Sequence, residues 1–168
     1  MAITRIGGAN AITGTIPTSV APGQGKVLQL LSTTFATGTF STSSTYADIT
    51  GAALSITPSS SSNKIYVSFT LAGMRKQTNN TYHGLKLFRQ INGGGYSEIE
   101  KMENGLSYTA DTGTISIASS YAYLDSPSTT NQVDYKVQFN SGANSATVSV
   151  NNDQQESSHV TLMEIAGW

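Results

Sequence analysis

The sequence predicts an all-β chain: an antiparallel β-sandwich, jelly-roll-like, of about 8–10 strands, preceded by an extended N-terminal arm. Three observations carry this. Apolar and polar residues alternate with a period of two along several segments. Turn-forming clusters separate those segments at intervals of about 8–12 residues. No window sustains a helical period beyond about two turns.

Taken in chain order, the N-terminal stretch repeats Ala2-Ile3-Thr4 as Ala11-Ile12-Thr13, with Gly7, Gly8 and Gly14 between and Pro17 and Pro22 after. Glycine and proline at this density break helices and leave little side-chain mass for a core. Residues 1–25 are expected to be an extended anchoring arm, and residues 26–168 the sandwich. Short strands fit Val27–Phe35, Tyr46–Ile49 and Leu54–Thr57. Pro58 closes the last of these because it cannot donate to a ladder. The run Ser59–Ser62 then reads as a solvated crossing loop whose hydroxyls satisfy local backbone groups. Ile65, Val67, Phe69 and Leu71 alternate with Tyr66, Ser68 and Thr70, the mark of a strand with one face on a core. Further strands fit Leu85–Ile91 and Tyr96–Glu100, parted by Asn92-Gly93-Gly94-Gly95. Ile115, Ile117, Tyr121 and Tyr123 share one face of another. Val133, Tyr135, Val137 and Phe139 alternate with Asp134, Lys136 and Gln138, and strands over Ala146–Val150 and Val160–Ile165 complete the set.

Composition narrows the function. A chain of 168 residues is long enough to bury a core as one domain. Charged residues are only 11%, against ~25% in typical globular chains, with Ser, Thr, Asn and Gly in their place. The net charge of −1 leaves no electrostatic footprint for nucleic acid and no polybasic membrane patch. Without cysteine there is neither a disulfide framework nor a thiolate metal site. The N-terminus has no secretory pattern, and no run reaches the ~18 apolar residues of a membrane span. A soluble chain made in a cytoplasm is expected.

No catalytic pattern stands out, so the chain is expected not to be an enzyme and to hold no cofactor or metal. Of the two histidines, His159 opens the last strand as a structural or rim residue. His83 falls in the apparent loop "RKQTNNTYHGL", without an acid at metal-ligand spacing. Glu98 and Glu100 share one face of a probable strand and read as solvated edge charges. "NGGGYS" lacks the Lys-Ser/Thr of a phosphate loop and joins two strands. What remains is a contact surface. Tyr82, His83, Tyr96 and Tyr108 lie in or beside polar loops rich in Asn, Thr and Gly. Flat rings among amides and hydroxyls suit sugar recognition, and tyrosines at a subunit interface have the same composition. The interface reading is taken first.

Four segments carry a resemblance: "GKVLQLLSTTF" (25–35), "TYADITGAALSITPSSSSNKIYV" (45–67), "AYLDSPST" (122–129) and "VTLMEIAG" (160–167). In this order they resemble a module of bacteriophage tail-fibre and virion-associated proteins, frequent among phages of cyanobacteria and marine bacteria. The resemblance spans roughly residues 25–168, and "GGANAITGTIP" is similar to connecting segments of phage fibres. It implies a β-sandwich that assembles, most often as a homotrimer, into a projecting part of a virion. In that setting residues 1–25 would bind other virion proteins and a host surface glycan would be a partner. The module usually ends a much longer fibre chain. Here it follows only about 25 residues, so a capsid decoration or cement protein, or a short head fibre, is the alternative. A free-standing carbohydrate-binding module, with Tyr82, His83 and Tyr108 on its rim, is a further one.

Overall fold

The computed structural model describes residues 25–142 and 146–167. The predicted arm, all but its last residue, lies outside the described residues.

Ten strands follow in order: β1 (Val27–Phe35), β2 (Thr39–Ser41), β3 (Ala47–Ile56), β4 (Lys64–Lys76), β5 (Thr81–Ile91), β6 (Ser97–Thr109), β7 (Ile115–Asp125), β8 (Val133–Ser141), β9 (Val148–Val150) and β10 (Ser158–Ile165). All pairings are antiparallel. One sheet, here called A, holds β1, β2, β4, β7, β9 and β10; the other, B, runs β3-β8-β5-β6. β10 pairs with one end of β4, while β9 pairs with its other end at Arg75 and Lys76, on the side opposite β7. β9 and β10 therefore share one lane, and β1 and β2 share the next. Counted by lanes there are eight strands, β1/β2-β10/β9-β4-β7 facing β3-β8-β5-β6. The chain crosses between sheets as a jelly roll does.

The core follows the alternation. Ile65, Val67, Phe69, Leu71 and Met74 of β4 face Val133, Tyr135, Val137 and Phe139 of β8, with Leu85, Leu87, Val160 and Leu162 between the sheets. Burying these side chains is the main favourable term in folding.

Several elements differ from the sequence reading. The expected strands Tyr46–Ile49 and Leu54–Thr57 merge, less Tyr46 and Thr57, into one strand, β3, interrupted by a bulge where its pairing with β8 shifts between Asp48 and Ala53. Gly51 sits in that bulge at φ +87°, and a Cβ there would fall 2.6 Å from the Phe35 Cβ. A bulge residue in the left-handed region favours glycine, so the apparent turn is a kink within a strand. The supposed loop around His83 is mostly strand, because β4 runs on to Lys76 and β5 begins at Thr81. β6 likewise continues to Thr109 and takes in Tyr108. Register shifts along β5–β6 also part the two glutamates: Glu98 pairs beside Phe88, whereas Glu100 lies opposite Leu87 and accepts from the Tyr121 hydroxyl at 3.1 Å. Each shift adds a residue on one strand and swaps its faces.

Candidate functional site

Tyr82, His83, Tyr96 and Tyr108 are divided between one surface and the interior. The surface is the outward face of sheet B. Along β8 the outward positions are Asp134, Lys136 and Gln138, and the register sets Lys86 beside Gln138 and Lys101, and Phe88 beside Lys136 and Glu98. Charges here are paired: Lys136 Nζ lies 2.7 Å from Asp48 Oδ1, and Lys86 Nζ 2.5 Å from Glu98 Oε2. Each ammonium also covers a ring, Lys136 at 4.0 Å from the Tyr96 centroid and Lys86 at 4.6 Å from that of Tyr46. Although burial pushes the Asp48 carboxyl up, hydrogen bonds from Lys136 and Gln138 outweigh it and hold the group below its usual range. Asp134 is held low in the same way by Ser55, Gln132 and Gln90.

At the other end of this face Tyr82 and Tyr108 meet edge to face, with centroids 6.2 Å apart and planes at 62°. The Tyr108 hydroxyl donates to Asn80 Oδ1 at 3.1 Å. Two glycines form the floor. A Cβ on Gly142 would fall 1.9 Å from Tyr82 Cε2, and one on Gly84 would fall 2.5 Å from the Tyr46 hydroxyl. The rings thus lie down where the sheet has no side chains. Tyr46 was missed in the sequence. Its signal was its spacing of two from Asp48: it immediately precedes β3, on the side to which Asp48 faces. The face therefore offers Tyr108 and Tyr82 at one end and Tyr96 at the other, with Tyr46 and the two lysines between.

His83 does not belong to that surface. It stands in β5 with its side chain inside the sandwich, fully buried. One ring nitrogen, Nδ1, lies 2.9 Å from the Ser107 hydroxyl, and Nε2 lies 3.0 Å from the Ser149 carbonyl oxygen. A carbonyl only accepts, so Nε2 carries the proton and donates to it. The imidazole thereby ties sheet B to β9 of sheet A. Burial lowers its pKa below the ordinary value, more than the backbone bonds to Ser149 and Leu106 raise it. His159 is exposed on β10 and bonds Thr34 Oγ1 through Nδ1 at 3.1 Å.

The segments that carry the phage resemblance meet in one place. Gln29, Glu164, Ile65 and Asp125 lie in one register row across β1, β10, β4 and β7. Glu164 is fully buried, and its carboxylate accepts from Ser59 N (2.6 Å), Ser59 Oγ (2.7 Å), Asn63 Nδ2 (2.5 Å) and Gln29 Nε2 (2.5 Å). Burial raises its pKa, but the bonds from Asn63, Ser59 and Gln29 prevail and lower it. The serine run is thus only partly a local loop. Ser60 and Ser62 bond each other, whereas Ser59 serves a carboxylate 105 positions away. Asp125 takes Arg89 Nη1 at 2.8 Å on both oxygens and the Tyr135 hydroxyl at 2.6 Å, joining sheet A to sheet B. Both carboxylates are spent on structure.

No protein-family model matches the chain, and no curated protein does. Among solved structures, the chain is similar to the crystal structure of the infectious bursal disease virus VP2 subviral particle, with 6% identity and a TM-score of 0.39. It is also similar to the structure of the Gx strain of that virus, with 8% identity and a TM-score of 0.38. Each likeness covers 86% of this chain and 38% of the other.

Proposed function

We propose that this chain is a bacteriophage virion structural protein, a homotrimeric projecting appendage of tail-fibre or adhesin type, held to the particle by residues 1–25. The observation that carries this reading is the meeting of the resembling segments around Glu164. Gln29, Ser59, Asn63 and Glu164 come from three of them, and Asp125, from the fourth, lies two strands away in the same row. Residues from all four resembling segments thus share one row and one buried carboxylate, which supports reading the segments as parts of one module. In an appendage the outward face of sheet B, with its tyrosines over glycine, would be the part that meets the host surface and its glycans. Repetition would turn weak single contacts into firm attachment.

Electron microscopy of virions labelled with an antibody against residues 26–168 tests the reading. Label at the tail is expected. Label over the whole head would replace the appendage with a capsid decoration protein, and unlabelled particles would overturn both.

The tyrosine face also favours a second reading, a free-standing carbohydrate-binding module. It requires a monomer whose glycan affinity drops with Tyr108→Ala, and unchanged affinity would end it.

A further inference from the structure

The two outward faces of the sandwich differ in kind. That of sheet B is ionic, with Asp48, Lys86, Glu98, Lys101, Asp134 and Lys136 across it. That of sheet A carries three complete cross-strand rows without a single Asp, Glu, Lys or Arg. They are Leu30–Met163–Tyr66–Leu124, Ser32–Thr161–Ser68–Ala122 and Thr34–His159–Thr70–Ser120. The hydroxyl rows are already paired among themselves: Ser32 with Thr161, Thr34 with His159, and Thr70 with Ser120, each at 3.1 Å. The first row is apolar from one edge of the sheet to the other. Its ends are its most open members, with Leu30 60% and Leu124 45% exposed, and Val27 at 50% follows along β1 in the next row, which ends in Lys64. An apolar strip of this reach on an otherwise polar chain marks a contact site.

We propose that this face is where copies of the chain meet, with Leu30 at the β1 edge of one copy packed on Leu124 at the β7 edge of the next. The proposal rests on the reading of the chain as a self-assembling virion component and names the surface used. A second copy fits as the occupant for two reasons. An ionic partner would have to give up its hydration against three rows with no charge to answer it, Lys64 and the Arg75–Asp153 pair standing only beyond them, whereas a copy brings the same uncharged rows. The strip also ends in leucine at opposite edges, so each copy offers one end to each neighbour. Contacts of this head-to-tail kind close into rings when the rotation between copies allows. In a ring of three, Met163 and Tyr66 would turn towards the axis.

The chain has no cysteine, so engineered thiols report cleanly. Full-length Leu30→Cys and Leu124→Cys chains would be mixed and mildly oxidised, and wild type and Leu30→Glu compared by sedimentation across the micromolar range. Both leucines are exposed, and circular dichroism would verify that each variant folds. The expected result is disulfide-linked pairs only in the mixture, with wild type sedimenting as an oligomer and Leu30→Glu as a monomer. Assembled wild type without 30–124 cross-links, and assembled Leu30→Glu, would overturn the face while leaving self-assembly intact. A Leu30→Cys chain cross-linking to itself would replace it with a two-fold edge contact. Loss of assembly on removing residues 1–24, with no 30–124 cross-link, would make the arm the occupant. Wild type monomeric at every concentration would overturn the proposal outright, and virion labelling would still decide the structural reading separately.

Discussion

Glu164 and His83 are buried ionisable groups held in opposite charge states, and together they predict a two-step response to acid. His83 is buried neutral with a lowered pKa, so on acidification the unfolded chain binds a proton first, near its ordinary value of ~6.5. Below that value the unfolded state holds more protons, and stability falls with pH by up to about 1.4 kcal/mol per unit until the folded ring also titrates. Glu164 is buried charged with a lowered pKa. Its contribution is complete above the unfolded value of ~4.3 and is lost as pH falls through the lower folded value. Urea midpoints at pH 7.5, 5.5 and 3.5 should show both declines. His83→Gln should flatten the first and Glu164→Gln the second, and a flat wild-type profile between pH 7.5 and 5.5 would contradict the assignment for His83. Phe69, only 1% exposed, is a plainer case. Phe69→Ala should lower unfolding free energy by roughly 3–5 kcal/mol, the usual loss for a truncated core aromatic. A change below ~1 kcal/mol would place that ring at the surface.

Among the elements, β7, β8 and β4 as far as Leu71 were legible from their period of two, whereas the end of β4 was not, because the register shift between Leu71 and Met74 breaks that period. β3 was not, because glycine marks a turn and a bulge alike, and only the partner strand tells them apart. The structure makes the distinction testable. Gly51 has φ +87° and the Phe35 side chain against it, whereas Gly95 has open space and ordinary φ. Gly51→Ala should therefore destabilise by about 1–3 kcal/mol through backbone strain and overpacking. Gly95→Ala should stay within ~0.5 kcal/mol. Equal effects in thermal or urea unfolding would mean that Gly51 is a turn residue with no special fit. The broken lane β9/β10 was partly legible, as two separate strands. What joins them is Asn151, fully buried, whose backbone N donates to Ala72 O at 3.0 Å and whose Oδ1 accepts from Ser158 Oγ at 2.6 Å. Nothing in the spacing of Asn151 and Ser158 announces that role.

For the molecule as a whole, the ends of the sandwich decide folding. β10 lies between β1 and β4, so the last strand is a central one and pairs with the first. A chain ending at residue 157 should remain unfolded by circular dichroism, because it loses the inward Val160 and Leu162 and leaves β1 without a partner. A chain beginning at residue 25 should fold, since it keeps every described strand. A folded product from the first, or an unfolded one from the second, would contradict this account. Pairing across so much sequence also predicts refolding on the slow, millisecond-to-second scale of non-local β folds.

Alone, the sequence determined the fold class, the core residues and the scarcity of charge, because these depend on local periodicity and composition, which every window displays. It also carried the segments that resemble the phage module. Tertiary structure alone decided what those segments do. Ser59 became a ligand of Glu164 rather than a loop hydroxyl, and His83 an inter-sheet tie rather than a rim residue. Only in the structure did Tyr46 join the tyrosine face and the outward residues of four strands line up in three uncharged rows. Each of these is set by strand register across long separations in the chain, and a shift of one residue turns every side chain of a strand to the other face.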